Sequence, residues 1–201
     1  MSGQKQQDKF LLKDVRLSFP VLFEAKAVQG QGDAKFSAAL LFPKTHPQFA
    51  EIQAEIVKVA TAKWGEKAPE VLKGLKASDK LCMHDGDAKS ERDGYPGNFY
   101  INSSNTIRPT AIGGGPDGRA PVTAADGKLY AGAYVNVFLN LWAQDNQYGK
   151  RVNASLLGVQ FLRDGTRLAG GGTAAADDFE AIPQAGQEKA AATGTGAASL
   201  F

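Results

Sequence analysis

Hydrophobic and polar residues alternate along several stretches of this chain, and that two-residue period predicts strands. In KDVRLSF, Val15, Leu17 and Phe19 take one face and Asp14, Arg16 and Ser18 the other. After the turn glycines of VQGQGD, KFSAALLFP puts Phe36, Ala38, Leu40 and Phe42 on one side, and Pro43 ends it. NFYINSSN, from Asn98 to Asn105, reads as a strand with Phe99 and Ile101 inward and Tyr100 and Asn102 outward. From Tyr130 to Trp142 the alternation is longest: Val135, Val137, Leu139 and Leu141 point one way, and Tyr134, Asn136, Phe138, Asn140 and Trp142 the other. QDNQYG makes a hairpin turn, and the chain returns as a strand from Arg151 to Phe161, where Gly158 marks a bulge.

One segment carries the helical period instead. Thr45 and Gln48 form a capping-box pattern, Pro47 sits in the first turn, and Phe49, Ile52, Ile56 and Val59 recur on one face, predicting a helix from His46 to about Lys63. WGEKAPEVLKGLK reads as a loop with one short helical turn, DKLCMHDGD as a short strand, and IGGGPDGRAPVTAADGK as a long irregular loop. Beyond Leu168 the chain has few large apolar residues and no period, which predicts a disordered acidic C-terminal tail. Short strands without βαβ alternation predict an all-β fold, a small barrel of five to six strands with one internal helix. The expected division is a binding domain over 1–169 and a flexible tail over 170–201.

Composition changes this picture little. The 201 residues are 43% hydrophobic and 22% charged, as in an ordinary globular protein. MSGQKQQDKF has no apolar leader core and no stretch is long enough to span a bilayer, so the expected location is the cytoplasm. The lone Cys82, in the apolar context KLCM, fits a reducing compartment and reads as a core residue. Net charge is only +2, but Asp177, Asp178, Glu180 and Glu188 face a single Lys189 in the tail, so a basic body carries an acidic tail.

Reactive chemistry is scarce. His46 and His84 lack partners at zinc-ligand spacing. DGDAKSERDG gathers Asp85, Asp87, Glu91 and Asp93, yet an EF-hand would need Gly and Glu where Ser90 and Pro96 stand. IGGGPDGR lacks the ending of a phosphate-cradling loop. No cofactor, metal or catalytic group is expected, and an enzyme built on the Asp85 to Asp93 loop is the least supported class.

The aromatic face from Tyr134 to Trp142 needs a partner. Packing under the helix, the tail or a second subunit would provide one. Unpaired bases would provide another, since flat rings accept any base and Asn136 and Asn140 could bond base edges. Arg16, Lys35, Arg108, Arg119, Lys150 and Arg151 could follow a phosphate backbone. The pattern leaves both readings open.

VRLSFPVLFEAKAVQGQGDAKFSAALLFPK, the helix, MHDGD, NFYINSSNTIRP and YAGAYVNVFLNLWAQDNQYGKRVNASLLGVQFLRDG follow one another in an order that resembles the single-stranded DNA-binding proteins of tailed bacteriophages. The likeness covers about residues 10 to 170. It implies an OB fold that coats single strands in replication and recombination without sequence preference, with the hairpin from Tyr130 to Phe161 lining the groove. The expected DNA-binding residues are Tyr134, Asn136, Phe138, Asn140 and Trp142, then Tyr100 and Tyr148, with Arg16, Lys35, Arg108, Lys150 and Arg151. The tail, through Asp177, Asp178, Phe179, Glu180 and Phe201, is expected to recruit replication or recombination proteins, although its acidic cluster lies well before the terminal Phe201. Homo-oligomerisation stays open. The rivals are a phage assembly protein using the aromatic face as a subunit interface, and an RNA-binding OB module.

Overall fold

The computed structural model describes residues 9–28 and 31–169; the tail residues Asp177, Asp178, Phe179, Glu180 and Phe201 lie outside them. Eight strands form one sheet: β1 (Phe10–Val28), β2 (Gln31–Pro43), β3 (Met83–Asp85), β4 (Asn98–Asn105), β5 (Thr110–Gly114), β6 (Ala120–Pro121), β7 (Tyr134–Asn146) and β8 (Gly149–Arg163). Their order is β3-β4-β2-β1-β7-β8-β5-β6. Every pair is antiparallel except β5 with β8. Helices α1 (Phe49–Trp64) and α2 (Ala68–Ala77) lie between β2 and β3.

The sheet-dominated reading therefore holds, but the expected barrel of five to six strands with one helix does not. Among the described residues eight strands make a sheet whose end strands share no ladder, with two α-helices. The second helix was hidden by Pro69 and Gly74. Pro69 stands in its first turn, where no amide donor is needed, while Ala68, Val71, Leu72 and Leu75 recur at helical spacing and turn to the core. The long glycine loop contains a hairpin, because Gly113, at φ +142°, lets the backbone lie against Phe161; a Cβ there would stand 2.4 Å from that of Phe161. Helix α1 starts at Phe49 without a side-chain cap. Gln48 instead ties the helix to β1, accepting from the Lys13 amide at 2.8 Å and donating to the Leu11 carbonyl at 3.0 Å.

The inward face of β7 is as expected: Val135, Val137, Leu139 and Leu141 are buried with Leu12, Leu17, Leu40, Ile101 and Leu156, and with Ile52 and Ile56 of α1. Each such side chain contributes roughly 1.5–3 kcal/mol. Cys82 joins this core, and burial pushes its thiol up to about 12. The bulge expected at Gly158 is present, since Phe138 faces Gly158 while Leu139 faces Leu156.

Strand β1 departs from simple alternation. Its first part pairs with β7 and a later, overlapping part with β2, and the register shifts between Leu12 and Val15 and between Ser18 and Val21. Asp14 (φ +51°) and Phe19 (φ +46°) sit at those shifts in left-handed backbone. The shift at Phe19 turns its ring out to 48% exposure and Ser18 inward, so the expected inward placement of Phe19 is corrected. The resulting curl brings β4 towards β8, where Asn105 Nδ2 donates to the Leu156 carbonyl at 3.1 Å.

The chain after β8 folds back along β1. Arg16 donates to the carbonyls of Gly132 and Thr166, the Leu168 amide to the Ala131 carbonyl, and Leu168 packs with Leu41, Tyr95 and Tyr100. Gly132, at φ +112°, approaches this segment so closely that a Cβ would lie 2.2 Å from the Thr166 carbonyl oxygen. Gly132→Ala is therefore expected to lower stability by about 2 kcal/mol or more, read as a shifted urea midpoint at unchanged slope.

Candidate nucleic-acid interface

A polar groove of about 440 Å³ crosses the outer side of β2 and β4. Short side chains make up part of its floor, where the ladder sets Ser37 opposite Ser104 and Ala39 opposite Asn102, and His84, Tyr95 and Tyr100 line the rest. One wall is the first half of β8, with Arg151 and Asn153; another is the segment after α2, with Lys80. Lys89, Arg92 and Phe19 close the groove at its other end. Four cations, Lys80, Lys89, Arg92 and Arg151, thus line one trough, and the one carboxylate among its described lining residues, Asp79, is hydrogen-bonded to His84. Small floor residues leave room for a chain of phosphates and sugars, and the cations give it positive potential.

The acidic loop holds this end of the groove in place. Lys44 Nζ lies 2.8 Å from Asp85 and 2.6 Å from Asp87, and Asp87 also accepts from the Gly97 amide at 2.7 Å. The Lys44 hydrogen bonds hold both carboxyls below their ordinary range and raise the lysine. Asp93 accepts from the Ala169 amide at 3.1 Å. Tyr95, within the same loop, is buried edge-on against Tyr100, with its hydroxyl 3.4 Å from Ser18 Oγ. Among the described residues, no three His, Cys, Asp or Glu side chains gather to hold a metal ion. His46 bonds the Lys13 carbonyl and the Gln48 amide, so both histidines serve the fold.

The residues expected from the sequence to contact DNA divide between several surfaces. Arg151 lines the groove, and Tyr148, 74% exposed, caps the β7–β8 turn beside it. Lys150 faces Asp145 at 3.1 Å and Trp64 at 5.7 Å. On the β1–β2 arm, Lys35 pairs across the ladder with Lys26, and Arg108 lies 5.6 Å over the Phe23 ring. Trp142 is half exposed, one strand from the groove, paired with Asn153 and donating to Ser155 Oγ at 3.0 Å. Asn140 sits opposite Ser155 on that side.

Other expected contacts are engaged within the fold. Tyr100, expected outward, lines the groove but is only 2% exposed, stacked on His84 at 4.9 Å and covered by Tyr95; the segment from Gly86 to Gly97 crosses its face of the sheet. Arg163 lies 3.7 Å over the Tyr134 ring and pairs with Asp14. Asn136 accepts from the Asp14 amide and donates to Gln160, each at 3.1 Å. Arg16 is occupied with backbone carbonyls. Phe138 opens instead onto a separate, mostly apolar groove of about 310 Å³ with Leu11, Ile112 and Leu157. Sequence reading missed Phe19, Lys80, Lys89 and Arg92. The last three lie in segments without period, and Phe19 fitted an alternation that its backbone breaks.

The fold of this open sheet is shared with single-stranded DNA-binding proteins of bacteriophages. The family described as Enterobacter phage Enc34, ssDNA-binding protein, matches residues 8–191, and the chain belongs to it. It is 42% identical over 184 residues, 90% of this chain and 97% of the relative, to protein p50 of Acyrthosiphon pisum secondary endosymbiont phage 1. Among solved structures it is similar to the single-stranded DNA-binding protein of bacteriophage Enc34 in complex with ssDNA, at 27% identity and TM-score 0.67, covering 81% of this chain and 90% of that one. It also shares a fold with gp2.5, a single-stranded DNA-binding protein of bacteriophage T7, at 13% identity and TM-score 0.52, covering 85% and 92%.

The Lys44 contacts give the groove a defined acid sensitivity. Because Asp85 and Asp87 are held below their ordinary range when folded, the stability they add is complete above about pH 4 and is lost as pH falls through their folded values. Lys44→Met is expected to lower stability at pH 7 and to flatten its decline below pH 4, measured by thermal unfolding across that range.

Proposed function

We propose that this chain binds single-stranded DNA without sequence preference, coating and protecting it during phage replication and recombination in the host cytoplasm, and that it is not an enzyme. The observation that carries the reading is the groove over β2 and β4, where small polar floor residues lie beneath Lys80, Lys89, Arg92 and Arg151. Five strands in the order β4-β2-β1-β7-β8, with β4 curling towards β8, support an OB-type topology. In that topology oligonucleotides lie across the second and third strands, flanked by the first hairpin and the last. Here those are β2 and β4, the arm carrying Lys26 and Lys35, and the turn carrying Tyr148 and Arg151. Residues 1–169 are the binding domain on this account, and the acidic segment from 170 to 201 recruits partner proteins.

Trp142 and Tyr148 are the rings best placed to extend the bound path along β8. Affinity for oligo(dT) should fall steeply with salt, and Arg151→Ala should reduce the log–log slope by about 0.7, the share of one phosphate on a single strand. Arg163→Ala, whose guanidinium is held by Tyr134 and Asp14, should leave that slope unchanged. An unchanged slope for Arg151→Ala, or equal or tighter binding of poly(U), would count against the reading.

A second reading, the subunit interface, is favoured at one place only. Phe138 is 43% exposed above an apolar groove. Phe138→Glu would dissociate any oligomer built there, as sedimentation would register, and should leave oligo(dT) affinity near that of the wild type.

A further inference from the structure

Left-handed backbone is sterically costly for any residue with a Cβ, and a bulky aromatic there is a true outlier. Among the described residues three that are not glycine adopt it: Asp14, Asp79 and Phe19. Aspartates tolerate this conformation, and both side chains are engaged, Asp14 with Arg163 and Asp79 in a hydrogen bond with His84. Phe19 has no comparable explanation. A glycine would satisfy the bulge at less cost, and the ring belongs to neither cluster of buried side chains. It is 48% exposed at the end of the polar groove, with the Arg92 guanidinium 5.4 Å from its centroid. Arg92 also lies 5.9 Å over Tyr95, which is buried, so the cation is braced against a fixed ring.

From this we infer that Phe19 is a base-stacking residue for single-stranded DNA, held at the groove end by Arg92, which acts as a positioning residue. The inference deepens the proposed function and rests on it. A strained backbone presents a flat apolar surface to solvent, and the neighbouring cation supports that surface while attracting the phosphates that accompany a base. Neither role is performed by Tyr134 or Phe138: Tyr134 is covered by Arg163, and Phe138 faces a groove without the four cations.

The test measures the full chain against oligo(dT) at low salt, alongside urea unfolding of each variant. Phe19→Ala and Phe19→Gly should each weaken binding about tenfold, the scale of one lost base stack. Glycine adopts this backbone freely, so the unfolding midpoint of Phe19→Gly should be unchanged or raised. Phe19→Trp should keep wild-type affinity, and the salt slope of all three should match the wild type, because no phosphate contact is removed. Binding at wild-type strength by both Phe19→Ala and Phe19→Gly would overturn the inference. So would a loss of affinity in Phe19→Gly accompanied by a matching loss of stability, which would mark the ring as structural. A wild-type chain that ignores oligo(dT) would instead overturn the function on which the inference rests.

Discussion

Strand β1 has to serve two partners, and the rest of the structure follows from how it does so. Its first residues pair with β7 and its later ones with β2, with Arg16 on both ladders. A flat strand could not meet both and still bury Leu12, Val15 and Leu17 on one side. Register shifts at Asp14 and Phe19 resolve the conflict by bending the strand. The bend curls the sheet until β4 approaches β8, and the space between their outer sides becomes the groove. The same bend turns one aromatic ring to solvent.

The groove's chemistry is set by what is absent from its floor as much as by what lines its rim. Ser37, Ala39, Asn102 and Ser104 are small, so a polyanion can approach the sheet closely. The cations come from three separate segments: the link after α2, the loop from Gly86 to Gly97, and β8. Each segment is fixed by its own contacts. The Val152 amide donates to the Lys80 carbonyl at 3.2 Å, and Lys44 pins the acidic loop through Asp85 and Asp87. Carboxylates that resembled a cation site in the sequence thus position the basic residues beside them.

Legibility in the sequence followed the strength of periodicity. The span of β4 and the inward face of β7 could be read directly, because alternation over a long strand admits one register. Helix α2 and the β5–β6 hairpin could not, since Pro69 and a run of glycines resemble loop signals although one begins a helix and the other permits close packing. At the site, exposure of aromatics was inferred from which face they occupied. That logic holds for Trp142 but fails for Tyr100, which is covered by a loop distant from β4's own alternation. It also fails for Phe19, whose face is decided by a backbone conformation that side-chain pattern does not encode. The cations of the groove are dispersed along the chain, so only the fold gathers them.

On the proposed function, single-stranded DNA lies across β2 and β4, and titrating the isotopically labelled chain with oligo(dT) while following backbone amide shifts distinguishes this path from others. Ser37, Ala39, Asn102, Ser104 and Arg151 are expected to move, while Asn136, Phe138 and Gln160 stay in place. Shifts confined to Asn136, Phe138 and Gln160, with the β2–β4 face silent, would contradict it.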